Sequence, residues 1–211
     1  MVPLSHAAAF AVAALVIIVI PGPNVLFAIG RALAHGRRAA VVSVLGSMAG
    51  TAVPVLGVAV GLGAILAASA ILLTIVKIVG ACYLIYLGAM AIRDRKKLTL
   101  AVRSADAEPS TGRMVRQGFV VGATNPKTIV FFAAVLPQFA VPEAGALPAQ
   151  FLTLGAIAIT IQLFSDTAWA MAAGTARSWF ARSPRRLEAI GGTGGLMIMG
   201  VGASVAFSGT N

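Results

Sequence analysis

The sequence predicts an all-α integral membrane protein, on the evidence of its hydrophobic content, its low charge content and its long uncharged stretches. Of its 211 residues, 59% are hydrophobic and only 10% are charged, against about 25% charged residues in an ordinary soluble domain. One crossing of a hydrocarbon core about 30 Å thick needs about 20 apolar residues, so the chain has room for about five to seven helices with short loops.

The uncharged stretches divide into six predicted transmembrane helices. The segment between Arg38 and Arg93 contains Lys77 as its only charge and is too long for one crossing, so it must turn, near residues 67–69. The predicted crossings are at roughly 5–30, 39–66, 70–92, 117–139, 148–174 and 188–208.

The basic residues predict the orientation of these helices. Fourteen of the sixteen Lys and Arg residues lie between predicted helices one and two, three and four, or five and six, and the exceptions are Lys77 and Lys127. All three segments fall on one side, which is the cytoplasm by the positive-inside rule, so both termini are expected outside. The net charge of +10 therefore reflects the orientation of the helices in the membrane and does not indicate nucleic-acid binding.

We predict a single membrane domain, 1–211, made of two halves. Residues 1–93 hold three helices, 94–116 form a polar cytoplasmic linker, and 117–211 hold the other three. Because three is odd, the second half enters the membrane in the opposite sense, which is a 3+3 inverted repeat. The linker is either a mobile connector or a contact with anionic membrane lipids, to which the basic cluster at its start is suited, namely Arg93, Arg95, Lys96 and Lys97.

Glycines at four-residue spacing predict close helix packing. These glycines allow close packing between helices of one monomer or, alternatively, between the two subunits of a homodimer. The pairs are Gly46/Gly50, Gly57/Gly61, Gly118/Gly122 and Gly191/Gly195.

Helices one and four contain proline breaks flanked by amides, at 21–24 and 125–127. Proline cannot continue a regular helix, and backbone groups freed inside a membrane need partners from protein or water. At about 1.5 Å per residue from the nearest predicted cytoplasmic arginines, Asn24 and Asn125 lie roughly 10–14 Å deep. Transporters with discontinuous helices bind anionic groups at such half-helix N-termini, although a kink that only improves packing is the alternative. The predicted substrate-binding residues are Pro21, Gly22, Pro23, Asn24, Asn125, Pro126 and Lys127.

Asp166 is the only carboxylate in the interior of a predicted helix, and Gln162 precedes it by one turn. An intramembrane carboxylate is costly and usually faces a polar cavity. We predict that Asp166 and Gln162 serve proton coupling. Binding of a substrate ammonium group and a structural salt bridge between Asp166 and Lys127 are the alternatives.

An enzyme is not expected. The two histidines are at opposite predicted membrane faces, and Cys82 is the only cysteine, so we expect no catalytic residues, no metal site and no cofactor. Efflux of another solute or a small cation, and a passive channel, are the competing functions.

Several motifs resemble those of the LysE-type amino-acid exporters, whose relatives include lysine, homoserine/threonine and leucine efflux proteins. The resemblance runs through Pro21-Gly22-Pro23-Asn24, Gly36-Arg37-Arg38, Gly46 with Gly50, Gly80-Ala81-Cys82-Tyr83-Leu84, Tyr86-Leu87-Gly88, Gly118-Phe119, Asn125-Pro126-Lys127 and Pro137-Gln138-Phe139. It implies export of amino acids or close derivatives, driven by the proton gradient across a bacterial inner membrane, and it does not choose the amino acid.

Overall fold

The computed structural model describes residues 2–68, 70–96, 109–176, 179 and 183–207, and this part of the chain contains helices and no strand. Its helices of ten or more residues are α1 (Leu4–Val19), α2 (Pro23–Ala68), α3 (Ala70–Arg93), α4 (Thr111–Ala123), α5 (Pro126–Val135), α6 (Leu147–Thr175) and α7 (Pro184–Phe207). Two short 3-10 turns, Leu136–Phe139 and Pro142–Ala144, connect α5 to α6. The predicted all-α class is confirmed.

Several of these helices have the length and composition of membrane spans. Among the described residues, Pro23–Gly61 of α2 (39 residues, mean hydropathy 1.8) and α6 (29 residues, mean hydropathy 1.6) can each cross a membrane alone. The pair α4 and α5, bent by 41° at the break between them, is a third candidate span, and α1 and Ile78–Arg93 are apolar but shorter. The chain is an all-α membrane protein, and the count of six crossings stays a prediction.

Both predicted helix breaks are present. The first separates α1, which ends at Val19, from α2, which begins at Pro23, and the second separates α4, which ends at Ala123, from α5, which begins at Pro126. Each new helix has proline in its first turn, where the missing N–H is not needed for an intrahelical bond.

The predicted boundary between helices one and two is present inside α2, because Gly36 (φ 88°, ψ 176°) has a non-helical backbone conformation that L side chains rarely adopt, and the kink there divides α2 into two helices. The start of predicted helix four was wrong. The helix predicted from residue 117 already begins at Thr111, so the end of the predicted linker is helical. Residues 97–108 of that linker, and Ser69 in the predicted turn, lie outside the described residues.

Glycines set the closest helix contacts. α2 packs on α4 and α6, while α3 packs on α5 and α7. Where α2 meets α4, a Cβ on any of four glycines would collide with backbone of the other helix; these are Gly46, Gly50, Gly118 and Gly122. Gly195 meets Gly88 of α3 in the same way. A Cβ on Gly57 or Gly61 would meet nothing within 4 Å, and a homodimer contact there stays a prediction.

Aromatic packing holds α1, α5 and α6 together beside the second break. Phe10 of α1 stacks on Phe131 of α5, with ring centroids 5.9 Å apart, and Phe132 and Phe151 belong to the same buried cluster. Gln150 fixes the connection between α5 and α6, because its amide donates to the carbonyls of Val141 and Gly145 (2.8 and 3.0 Å).

Candidate functional site

The break after α1 is held by side chains from two other helices. The last carbonyls of a helix lack intrahelical partners, and such groups must be satisfied inside a membrane. Trp169 Nε1 of α6 donates to Val19 O at 3.1 Å, and Lys127 Nζ of α5 donates to Ile20 O at 2.7 Å. The first break is therefore bonded directly to the helix that follows the second.

The break before α5 is capped by its own asparagine. Asn125 Oδ1 accepts a hydrogen bond from the backbone N–H of Lys127 at 3.1 Å, which is the standard role of an asparagine N-cap. This capping accounts for the asparagine beside Pro126, and it leaves the Asn125 NH₂ group available for a bound solute.

The polar residues predicted from the sequence come together at one cavity. Asn24, Asn125, Lys127, Gln162 and Asp166 all line it, and all are buried. The N-terminal turns of α2 and α5 both contribute to its wall. Apolar residues form the rest of the lining, namely Ile17, Ile18, Val25, Phe131, Phe132 and Ala158.

The cavity is small. Its room for the centres of water molecules is about 30 Å³, which is space for about two waters. Pro21, Pro23 and Pro126 are not among its lining residues, and they act by shaping the breaks.

Several buried polar atoms at this cavity lack hydrogen-bond partners. Within the described part of the chain these are Asn24 Oδ1, Gln162 Nε2 and Asp166 Oδ2, with Ser165 Oγ close by in the sequence. An unsatisfied buried polar atom costs about 1–3 kcal/mol, so each needs a reason. The set contains an amide donor, an amide acceptor and a carboxylate acceptor, which together suit a small polar solute.

The two buried charges face the same cavity without touching. Among the described residues no ion pair joins Lys127 to Asp166, since the ammonium group donates to Ile20 O and Asp166 Oδ2 has no partner. They are nevertheless close enough to interact electrostatically. The structure does not contain the direct salt bridge that the sequence left open, and it offers one cationic and one anionic group to a solute.

Sequence reasoning missed one contributor to this site and one role of another. Trp169 was not singled out, although an indole N–H in an apolar helix needs a partner. Gly22 was predicted as a substrate-binding residue, and it also makes room for Lys127, because a Cβ at Gly22 would lie 2.8 Å from Lys127 Cδ.

Known proteins resemble the chain over most of its length. It is 35% identical over 201 residues to an uncharacterized membrane protein of Vibrio cholerae serotype O1, covering 94% of this chain and 95% of that one. It is 34% identical over 186 residues to the homoserine/homoserine lactone efflux protein of Salmonella typhimurium, covering 88% of each. Identity to the leucine efflux protein of Enterobacter sp. is 28% over 200 residues, 93% of each.

No solved structure matches the chain. The family model of the LysE type translocators matches residues 15–209. The resemblance predicted from the motifs is thereby confirmed, and the chain belongs to the LysE type translocator family.

Proposed function

We propose that the protein is a secondary active exporter that moves small amino acids or close derivatives out of the bacterial cytoplasm across the inner membrane, by proton antiport. The observation that carries this proposal is the buried cavity between two broken helices, lined by an ammonium group, a carboxylate and three amides. The names of the homoserine and leucine efflux relatives support this substrate class.

The charges of the cavity match those of an amino acid. The substrate carboxylate binds Lys127 and the N-terminal turns of α2 and α5, where helix dipoles favour negative charge. The substrate ammonium group donates to Asp166 Oδ2, which lacks a partner, and Gln162 Nε2 can donate to an oxygen of the substrate. Charge-assisted hydrogen bonds of this kind are about twice as strong as neutral ones.

Transport requires the cavity to widen. Room for about two waters is too little for an amino acid. The end of α1 can move when the side-chain hydrogen bonds that hold it in place, from Lys127 to Ile20 O and from Trp169 to Val19 O, are broken. A substrate carboxylate competes with Ile20 O for the Lys127 ammonium group, so binding itself loosens this end.

Transport by purified protein in vesicles tests this function against its rivals. With a panel of radiolabelled amino acids, we expect at least one small amino acid to accumulate when a pH gradient is imposed and not without one. A passive channel equilibrates the same substrate and never accumulates it. Accumulation of small cations, and of no amino acid, overturns the proposal.

The orientation gives a separate prediction. Reporters fused after Arg103 and Arg182 should be cytoplasmic and one fused after Asn211 external, three positions outside the described residues, because the basic segments are expected inside. A reporter active only in the cytoplasm and one active only outside are compared at each position. A cytoplasmic C-terminus contradicts the six-helix inverted arrangement.

A further inference from the structure

A positively charged pocket lies between the end of α3 and the start of α7, away from the central cavity. It has a volume of about 390 Å³, and its lining includes Arg95, Arg185 and Glu188. Two arginines against one glutamate give it a positive balance. In the described part of the chain, neither arginine has an ion-pair or hydrogen-bond partner, so both guanidinium groups remain available to an anion.

The Arg95 side chain lies against bare backbone of α7. A Cβ at Gly191 would be 3.3 Å from Arg95 Cβ, and one at Gly192 would be 3.9 Å from Arg95 Cδ. The glycines thus let the aliphatic stem of Arg95 pack on α7, with its charge in the pocket. The pocket is formed by packing between the two helices and does not depend on surface charges alone.

An apolar groove continues from this pocket. It has a volume of about 810 Å³ and lies between α1, α6 and α7, with Val16, Trp169 and Gly200 among its lining residues. Thr193 lines both the pocket and the groove, so the two adjoin each other along α7. The only indole N–H in the groove is already bonded, to Val19 O.

The pocket and the groove together have the dimensions of one membrane leaflet. From Arg185 to Gly200, α7 rises about 22 Å at about 1.5 Å per residue. Half of a bilayer about 40–45 Å thick, headgroups included, is about 20–22 Å. The cationic groups lie at the membrane face and the apolar groove extends towards the midplane. This arrangement is complementary to a phospholipid, which has a charged headgroup and an apolar acyl chain.

We propose that the pocket and the groove bind an anionic phospholipid, with the headgroup phosphate at Arg95 and Arg185 and an acyl chain along the groove. The positive pocket selects anionic over zwitterionic headgroups. The bound chain lies against Ile20, Pro21 and Trp169, next to the break in α1, so this lipid contacts the element that must move in transport.

Quenching of Trp169 fluorescence by brominated lipid tests the proposal. The chain has two tryptophans, and Trp179→Phe leaves Trp169 as the sole emitter while keeping an aromatic ring beside Arg186. The protein is reconstituted into phosphatidylcholine vesicles that contain equal fractions of either brominated phosphatidylglycerol or brominated phosphatidylcholine. We expect the anionic lipid to bind with an apparent affinity about 5-fold higher for each arginine.

Arg95→Gln/Arg185→Gln should remove this preference. The matched control is Arg113→Gln/Arg116→Gln, which removes two exposed arginines of α4 that do not line the pocket, and it should keep the preference. Unchanged quenching by brominated phosphatidylcholine shows that each variant retains its fold around Trp169. Equal quenching by both lipids in the parent protein, or equal loss of preference in both double variants, overturns the proposal.

The groove is tested separately from the arginines. Gly200→Leu places a side chain where a Cβ meets nothing within 4 Å, and Gly57→Leu does the same on α2 outside the groove. Gly200→Leu should weaken quenching by the anionic lipid several-fold, and Gly57→Leu should not. Identical quenching in the two variants means that no acyl chain occupies the groove.

Discussion

Export should fall about 10- to 100-fold when Lys127 is replaced by alanine, and about 2- to 10-fold when Asn24 is replaced by alanine. A hydrogen bond to a charged group contributes about 1.5–3 kcal/mol and a neutral one about 0.5–1.5 kcal/mol, and about 1.4 kcal/mol corresponds to a factor of ten. Both side chains are buried at the cavity, with 7% and 6% exposure. The difference therefore reflects the charge that binds the substrate carboxylate.

Lys127 has a second role that the experiment must separate from substrate binding. Its ammonium group satisfies Ile20 O, so the alanine variant leaves a carbonyl without its partner in the membrane. Lys127→Gln keeps a donor on a shorter side chain but removes the charge. We expect this variant to insert better than Lys127→Ala and still to export poorly.

Exchange of labelled for unlabelled substrate across vesicles, per amount of inserted protein, measures these effects. Lys96→Ala is the matched control, since Lys96 is an exposed lysine that does not line the cavity, and it should exchange at the parent rate. Parent-level exchange by both Lys127→Ala and Asn24→Ala rules out the proposed substrate site.

The breaks and their polar residues could be predicted because proline chemistry is local. A proline has no N–H for the intrahelical bond, so the prolines around Asn24 and Asn125 favour a break in the helix, and an ionisable residue inside a membrane implies a polar surrounding. These two rules were enough to select Asn24 and Lys127 as substrate-binding candidates and Asp166 as a proton-coupling candidate. The structure brings them to one cavity.

The partners within the site could not be predicted because they are distant in sequence. Trp169 bonds to Val19 O across 150 positions, and Lys127 bonds to Ile20 O across 107. The sequence left a salt bridge between Lys127 and Asp166 open as an alternative, whereas the Lys127 ammonium group donates to a backbone carbonyl freed by the first break. The periodicity of the sequence does not show which side chain will bond to the backbone carbonyls that a helix break leaves without partners.

The glycine pattern shows the same limit. Spacing predicts that Gly46 and Gly118 allow a close approach, but it does not give the partner helix. The structure pairs them across α2 and α4, where each glycine meets the other helix's backbone. Likewise, the basic residues Arg37 and Arg38 predict a boundary between two helices, but they do not give its form, which is a kink at the non-helical Gly36.

Asp166 is the residue through which we expect protons to couple to export. It is 1% exposed, its Oδ2 has no hydrogen-bond partner among the described residues, and it is not ion-paired with Lys127. A carboxylate in this setting can exchange a proton when the cavity opens to either side. Taking up a proton when the cavity opens outward and releasing it inside moves one substrate out and one proton in.

Asp166→Asn should therefore exchange labelled for unlabelled substrate but fail to accumulate it under an imposed pH gradient, because asparagine keeps the size and cannot titrate. A gradient of one pH unit supplies about 1.4 kcal/mol per proton, which corresponds to about tenfold accumulation of substrate. The Asp166→Asn variant should show no accumulation. Glu143→Gln removes an exposed carboxylate in the connection between α5 and α6 and should accumulate normally. Accumulation by Asp166→Asn at the parent level means that protons are carried elsewhere, and loss of both activities with poor insertion assigns Asp166 a structural role.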